Sequence, residues 1–349
     1  MKHIAVLSND AGGAEMLASL IKHELFNYEW TIFTSEDSPA HKVFQKTGFR
    51  DIIFPCGEKG VEYFVSRKRP DYFIFSTSWS NKECLATVLM KKLEIPVVAL
   101  LDHWIDYKER FGFPLPGWEL NLPDFVAVGD SVAYKVAEKA FFRNVLPINN
   151  YYFWDLIEEY KQTSFAPSGE LLYISQTVSN IESTKNNFNY LGKYEERVLK
   201  LILDNFDLIS EHFGIDRINI RLHPSQGSKT FKDYGKAYPH IDIRLQEAGE
   251  LGLIDSIGES RIVMGINSMG LFIAYLVGKP ALSFALDDSK PTLPLPKSFF
   301  IHSIDELLRI KYDDIEKKKY NFELYSQYPL NKFLQIIDER YNHENCCNY

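Results

Sequence analysis

RIVMGINSMGLFIAYLVGKPALSF, residues Arg261 to Phe284, reads as strand, tight turn, helix, strand. Ile262, Val263 and Met264 form a short apolar run, as expected of a parallel strand buried on both faces. Gly265 to Gly270 make the turn, and Leu271 to Val277 is an apolar helix that Gly278 and Pro280 bring to an end. Ala281 to Phe284 is the next strand. Asn267 or Ser268 is a suitable N-cap. A helix N-terminus after a parallel strand presents unpaired N–H groups and partial positive charge, and small residues there admit a phosphate. The competing reading is an ordinary capped helix, since every helix of a doubly wound domain has a cap.

A second stretch, Arg217 to Ser225 (RINIRLHPS), alternates Ile218, Ile220 and Leu222 with polar residues and stops at His223-Pro224. Ligands of open parallel sheets bind outside the carboxyl ends of the strands. A histidine there can hydrogen-bond or pair with a phosphate; otherwise it merely closes the strand. Together, His223 and Asn267-Ser268 put two candidate phosphate contacts in one predicted domain.

The remaining chain repeats this pattern. Apolar runs such as Ile4 to Leu7, Asp71 to Ser76, Pro96 to Leu101 and Asp124 to Val128 alternate with helical periodicity and short connections, which predicts an α/β fold with parallel doubly wound sheets. Helices are expected over Glu15 to Leu25 and, as one long element, over Tyr194 to Phe213. The alternation lapses between Asn149 and Ser168 and restarts at Leu171. A chain of 349 residues is long for one core. The expected division is residues 1–150, residues 168–320, and a helical tail 321–349 that packs back on the first domain.

A net charge of -8 argues against nucleic acid as a partner. The cysteines, Cys56, Cys84, Cys346 and Cys347, follow no metal-ligand spacing, so reduced thiols and a cytoplasmic protein are expected. The chain opens on a strand, without a signal peptide, and no apolar run is long enough to span a bilayer. Lys317 to Lys319 is a basic run that leaves peripheral attachment at the inner face of a membrane open, although a solvated helix face explains it as well.

Two such domains leave a cleft between their carboxyl ends, and the first offers three loops there. Asn9-Asp10-Ala11-Gly12-Gly13 lacks G-x-G-x-x-G spacing. Asp10 is placed for a general base or helix cap, and Gly12 and Gly13 for close approach of a ligand. Thr77-Ser78-Trp79-Ser80-Asn81 suits a sugar, with an N-cap as the alternative. Asp102, His103, Trp104, Asp106, Lys108, Glu109 and Arg110 crowd the third loop, and its charge density points to function, with Asp102 or His103 as acid/base. Walker A, G-x-S-x-G, H-E-x-x-H and C-x-x-C motifs are absent, and no D-x-D stands at a strand end. Asp287-Asp288 is the remaining metal candidate; the expectation is chemistry with neither metal nor cofactor.

These residues resemble the GT-B class of bacterial glycosyltransferases, with two Rossmann-like domains facing a central cleft. His223-Pro224 looks like the HP motif of the sialyltransferase and Kdo-transferase type, and Asn267-Ser268 lies where their serine motif meets the donor phosphate. The resemblance implies a nucleotide-sugar donor, a CMP-sugar first, held by His223, Pro224, Ser225, Asn267, Ser268, Met269 and Gly270. His223 would also assist departure of the nucleotide. A surface-glycan acceptor would lie near Gly12, Gly13, Ser78, Trp79 and Trp104, with Asp10 or Asp102 as base. Asn9-Asp10-Ala11-Gly12 departs from the family's acidic-acidic-Gly motif. The alternatives are a UDP-sugar donor, an epimerase or hydrolase on the same scaffold, and a sugar-binding protein without catalysis.

Overall fold

The computed structural model describes the chain apart from residues 50–52, 56–57, 79–81, 141, 167, 177–187, 224–225, 228–230, 248, 287–291, 317–321 and 347–349. Trp79, Pro224, Ser225, the Asp287-Asp288 pair, Lys317 to Lys319, Cys56 and Cys347 therefore lie outside the described residues. Two compact units are present, one made of Met1–Asp155 with Glu323–Tyr349 and the other of Leu156–Phe322.

The first unit is a seven-stranded parallel sheet in the order β3-β2-β1-β4-β5-β6-β7. Its strands are β1 (His3–Leu7), β2 (Glu29–Thr34), β3 (Ile53–Pro55), β4 (Tyr72–Ser76), β5 (Val97–Leu101), β6 (Phe125–Val128) and β7 (Val145–Pro147). Every residue of β1, β4, β5 and β6 is buried, the reason their sequences run apolar without alternation. The terminal helix Leu330–Cys346 supplies Leu330, Phe333, Leu334 and Ile337 to the core that holds Ile4, Val6 and Ile74.

The second unit is a six-stranded parallel sheet in the order β10-β9-β8-β11-β12-β13. It comprises β8 (Glu170–Ile174), β9 (Arg217–Arg221), β10 (Asp242–Gln246), β11 (Ile262–Gly265), β12 (Ala281–Phe284) and β13 (Phe300–Ile301). Counted from each unit's first strand, both orders begin 3-2-1-4-5-6, so the winding reverses beside β1 and β4 in one unit and beside β8 and β11 in the other. Those switch points are where an open α/β sheet leaves a crevice at its carboxyl edge.

Three local expectations are corrected. The first helix is Ala11–Glu24, not Glu15–Leu25, so the glycines form its first turn rather than a loop. The long helix divides into Phe188–Asp204 and Phe206–Phe213. Asn205 breaks it, its side-chain amide donating to Leu201 O at 2.8 Å in competition with the backbone ladder. Strand β7 was too short a run to stand out.

Gly13 sits against β4: an added Cβ would come within 2.3 Å of Ser76 Cβ and Oγ, whereas one on Gly12 would meet only Asp102 Oδ2 at 3.4 Å. Alanine normally favours a helix over glycine by about 1 kcal/mol. Gly13→Ala is nonetheless expected to destabilise the protein by about 1–3 kcal/mol through overpacking, while Gly12→Ala leaves stability within about 0.5 kcal/mol; urea unfolding of both variants measures this.

Candidate active site

In the second unit the helix Met269–Leu276 follows β11 at the switch point. Ser268 is its N-cap, with Oγ accepting from Gly270 N at 3.2 Å. Gly270 to Leu276 are buried, while Asn267, Ser268 and Met269 are half-buried, so only the N-terminal end meets the surface. The two glycines face neighbouring chain rather than an open approach. A Cβ on Gly265 would lie 2.8 Å from Ile174 O, and one on Gly270 would lie 2.6 Å from Ile174 Cδ1. The small residues of this turn thus let β8 and β11 close on one another.

His223 stands two residues beyond β9, half-buried, and burial lowers its pKa. At neutral pH it is a neutral ring with one N–H to donate. Its backbone is fixed by Gln226: His223 N donates to Gln226 Oε1 at 2.8 Å, and Gln226 N donates back to His223 O at 2.8 Å.

In the first unit, Asp10 is at the N-cap position of the Ala11–Glu24 helix but makes no side-chain cap bond. Asn9 is held away from it, donating to Glu83 Oε1 at 2.8 Å, and Ser78 Oγ donates to the other oxygen, Glu83 Oε2, at 2.7 Å. Glu83, 2% exposed, ties the β1 and β4 ends together. Sequence reasoning passed over it because an acidic residue in a helix first turn is commonplace. Ser78 is buried and bonded inside the unit. Trp104 is likewise buried, donates through Nε1 to Asp130 at 3.1 Å, and stacks on Phe153. Asp130 was also missed, because Gly129-Asp130-Ser131 reads simply as a helix start; it does cap that helix, accepting from Val132 N and Ala133 N.

The charge-dense loop gathers around Asp102. Arg110 Nη1 lies 3.9 Å from Asp102 Oδ1, with both side chains 6% exposed. The same guanidinium reaches Thr77 O at 3.4 Å, and Thr77 Oγ1 donates to Asp102 Oδ1 at 3.4 Å. His103 Nε2 lies 3.6 Å from Asp102 Oδ2, and Gly12 borders that same oxygen. The Tyr107 hydroxyl is buried without a hydrogen-bond partner, and burial, with Asp130 and Asp102 adding to it, raises its pKa. The first unit thus joins Asp102, His103, Gly12 and Arg110, and the second joins Ser268, Asn267 and Gly270. Among the described residues no group of three or more His, Cys, Asp or Glu is arranged to hold a metal ion, and no helix is long and apolar enough to cross a membrane.

Two Rossmann-ordered units with polar carboxyl ends define the GT-B fold class. No protein-family model and no curated protein matches the chain. Among solved structures it is similar to UDP-N-acetylglucosamine 2-epimerase from Rickettsia bellii, at 14% identity and TM-score 0.65, covering 99% of this chain and 98% of the other. It is also similar to the Methanocaldococcus jannaschii UDP-GlcNAc 2-epimerase in complex with UDP-GlcNAc and UDP, at 12% identity and TM-score 0.63, covering 97% and 100%. Acinetobacter baumannii MurG matches at 8% identity and TM-score 0.50, covering 91% and 89%.

Burial raises the Asp130 carboxyl from 3.8 to about 6, its three hydrogen bonds opposing the shift. A folded-state pKa above the unfolded one gives stability that is full below about pH 4 and lost as pH rises through about 6. The loss amounts to roughly 3 kcal/mol. Asp130→Asn keeps a capping side chain and is expected to lose that dependence. Unfolding free energies of wild type and variant, compared from pH 4 to 7, should lie close together near pH 4 and separate toward neutral pH, where the variant is the more stable.

Proposed function

We propose that this protein is an enzyme acting on a nucleotide sugar, and specifically an epimerase of a UDP-sugar. The whole-length likeness to UDP-GlcNAc 2-epimerases carries this reading. In it the second unit takes the nucleotide phosphates at the helix N-terminus headed by Ser268, with Asn267 beside it and the neutral His223 N–H as a further donor. The first unit supplies acid/base chemistry through Asp102, adjoined by His103, with Asp10 as a second carboxylate.

Inversion at a sugar carbon next to the anomeric centre breaks a C–H bond and restores it on the opposite face. The proton leaves to a side-chain base, the anomeric C–O electrons depart with UDP, and both return with the opposite configuration at that carbon. Fixed N–H donors on the phosphate stabilise the charge that develops on UDP. The CMP-sugar transferase that the HP and Asn-Ser motifs suggested gives way to a UDP-sugar in this reading. Glycan acceptors and membrane attachment have no part in it, and the chemistry calls for no added cofactor.

The protein incubated with UDP-N-acetylglucosamine in D2O, without acceptor, should yield the C2 epimer carrying deuterium at C2, with UDP still attached. Free UDP plus sugar would mean a hydrolase. UDP binding without turnover would mean transfer to an acceptor, and no affinity for UDP would sink the nucleotide-sugar reading. His223→Ala should weaken UDP binding about tenfold, and Asp102→Asn should lower turnover about 10²–10⁴-fold, each with the folded circular-dichroism spectrum retained.

A further inference from the structure

The carboxyl ends of β8 and β9 meet in a buried chain of polar side chains that the proposed reaction leaves unused. Glu195, on the helix Phe188–Asp204, is 3% exposed, and Ser175, immediately after β8, is 1% exposed. Ser175 Oγ lies 2.7 Å from Glu195 Oε1 and 2.7 Å from Gln226 Oε1. Both neighbours are acceptor oxygens, and a serine hydroxyl carries one proton.

The Gln226 amide cannot turn over to resolve this. Its Oε1 accepts from His223 N at 2.8 Å, and its Nε2 donates to Gln176 O at 2.7 Å. Reversed, the amide would set N–H against N–H at one end and oxygen against oxygen at the other. The second proton must therefore come from Glu195. A carboxyl O–H on Oε1 donates to Ser175, Ser175 donates to Gln226, and Oε1 still accepts from Gln176 N at 2.7 Å. Each of these contacts then pairs a donor with an acceptor.

We infer that Glu195 is a neutral carboxylic acid, and that its proton, relayed through Ser175 and Gln226, fixes the backbone that presents His223. Glu195 is thus a positioning residue, and this second step rests on the nucleotide-site reading of His223. The surroundings favour the neutral form. Burial disfavours ionisation and outweighs the hydrogen bonds from Ser175, Gln176 and Gln226 that oppose it, and Glu196 on the same helix adds repulsion. Burial raises the pKa of the phenols of Tyr173 on β8 and of Tyr234 on the short helix Tyr234–Ala237, so both stay neutral and neither supplies a counter-charge. Tyr173 is fully buried, with no hydrogen-bond partner for its hydroxyl. His223 is held neutral, so no imidazolium compensates a carboxylate from the β9 end.

Glu195→Gln tests the assignment, because an amide at Oε1 can donate or accept but not both. Infrared spectra of the full-length protein in D2O at neutral pH should show a protonated-carboxyl C=O band that Glu195→Gln removes. Ser175→Ala, which leaves Glu195 in place and takes away its acceptor, should shift that band. Its absence from the wild type, or its persistence unshifted in both variants, overturns the neutral acid, whatever the protein binds; if Glu195→Gln fails to fold, the Ser175→Ala shift alone decides.

Titrating UDP from neutral to alkaline pH tests the positioning. Wild-type affinity should fall about tenfold as Glu195 ionises, while Glu195→Gln starts about tenfold weaker and stays level. Equal affinity and equal pH dependence in the two proteins overturns the link to His223. Should the wild type bind no nucleotide, the nucleotide-site reading and the link to His223 fail together, and the infrared band still settles Glu195.

Discussion

At each switch point of this protein, chain lies against chain at a separation only glycine permits. In the first unit, Gly13 in the helix after β1 rests on Ser76 at the end of β4. In the second, Gly265 and Gly270, flanking the turn after β11, rest on Ile174 at the end of β8. The strands concerned are first and fourth in each unit, where the winding reverses. Close seating brings the helix starts down onto the carboxyl edge of each sheet. A side chain at Gly13 or Gly265 would lift the helix or spread the strands, whereas one at Gly270 would first have to displace the tip of the Ile174 side chain.

The two edges then diverge in chemistry. The first unit's edge is rich in carboxylates, most of them committed. Glu83 gathers Asn9 and Ser78, Asp130 gathers Trp104 and a helix start, and Asp102 shares Arg110 with Thr77. These links cross between strand ends and leave Gly12 and His103 bordering Asp102. The second unit's edge carries a histidine held neutral, a capped helix end and the chain of Glu195, Ser175 and Gln226. Carboxylates suit proton removal from a substrate, and neutral N–H donors suit a phosphate-bearing leaving group.

The architecture was legible because parallel strands buried on both faces must be apolar throughout, and Ile4–Leu7, Val97–Leu101 and Ile262–Met264 are. Ser268 as N-cap was legible for a similarly local reason. What the glycines contact was not, since approach to a ligand and approach to a neighbouring strand place the same demand on a residue. Trp104 and Ser78 looked like sugar contacts because aromatic and hydroxyl groups at a strand end serve either a ligand or a buried hydrogen bond, and only the fold shows the partners Asp130 and Glu83. Glu195 was invisible in sequence: its role depends on Ser175 and Gln226, twenty and thirty-one residues away.

In the helix headed by Ser268, stability and the proposed function rest on different groups. Leu271, Phe272, Ile273 and Leu276 are each at most 4% exposed. Burial of such side chains contributes about 1.5–3 kcal/mol apiece, against about 1 kcal/mol for an N-cap hydrogen bond. The apolar face therefore holds the helix, and the cap is a minor contributor to its stability. Accepting from Gly270 N occupies a lone pair of Ser268 and leaves its O–H able to donate outward. A serine can cap and bind an anion at once, an asparagine beside it can add a donor, and neither role need compete with folding. The site's sensitivity to substitution at Ser268 should accordingly appear in ligand affinity well before it appears in the stability of the unit.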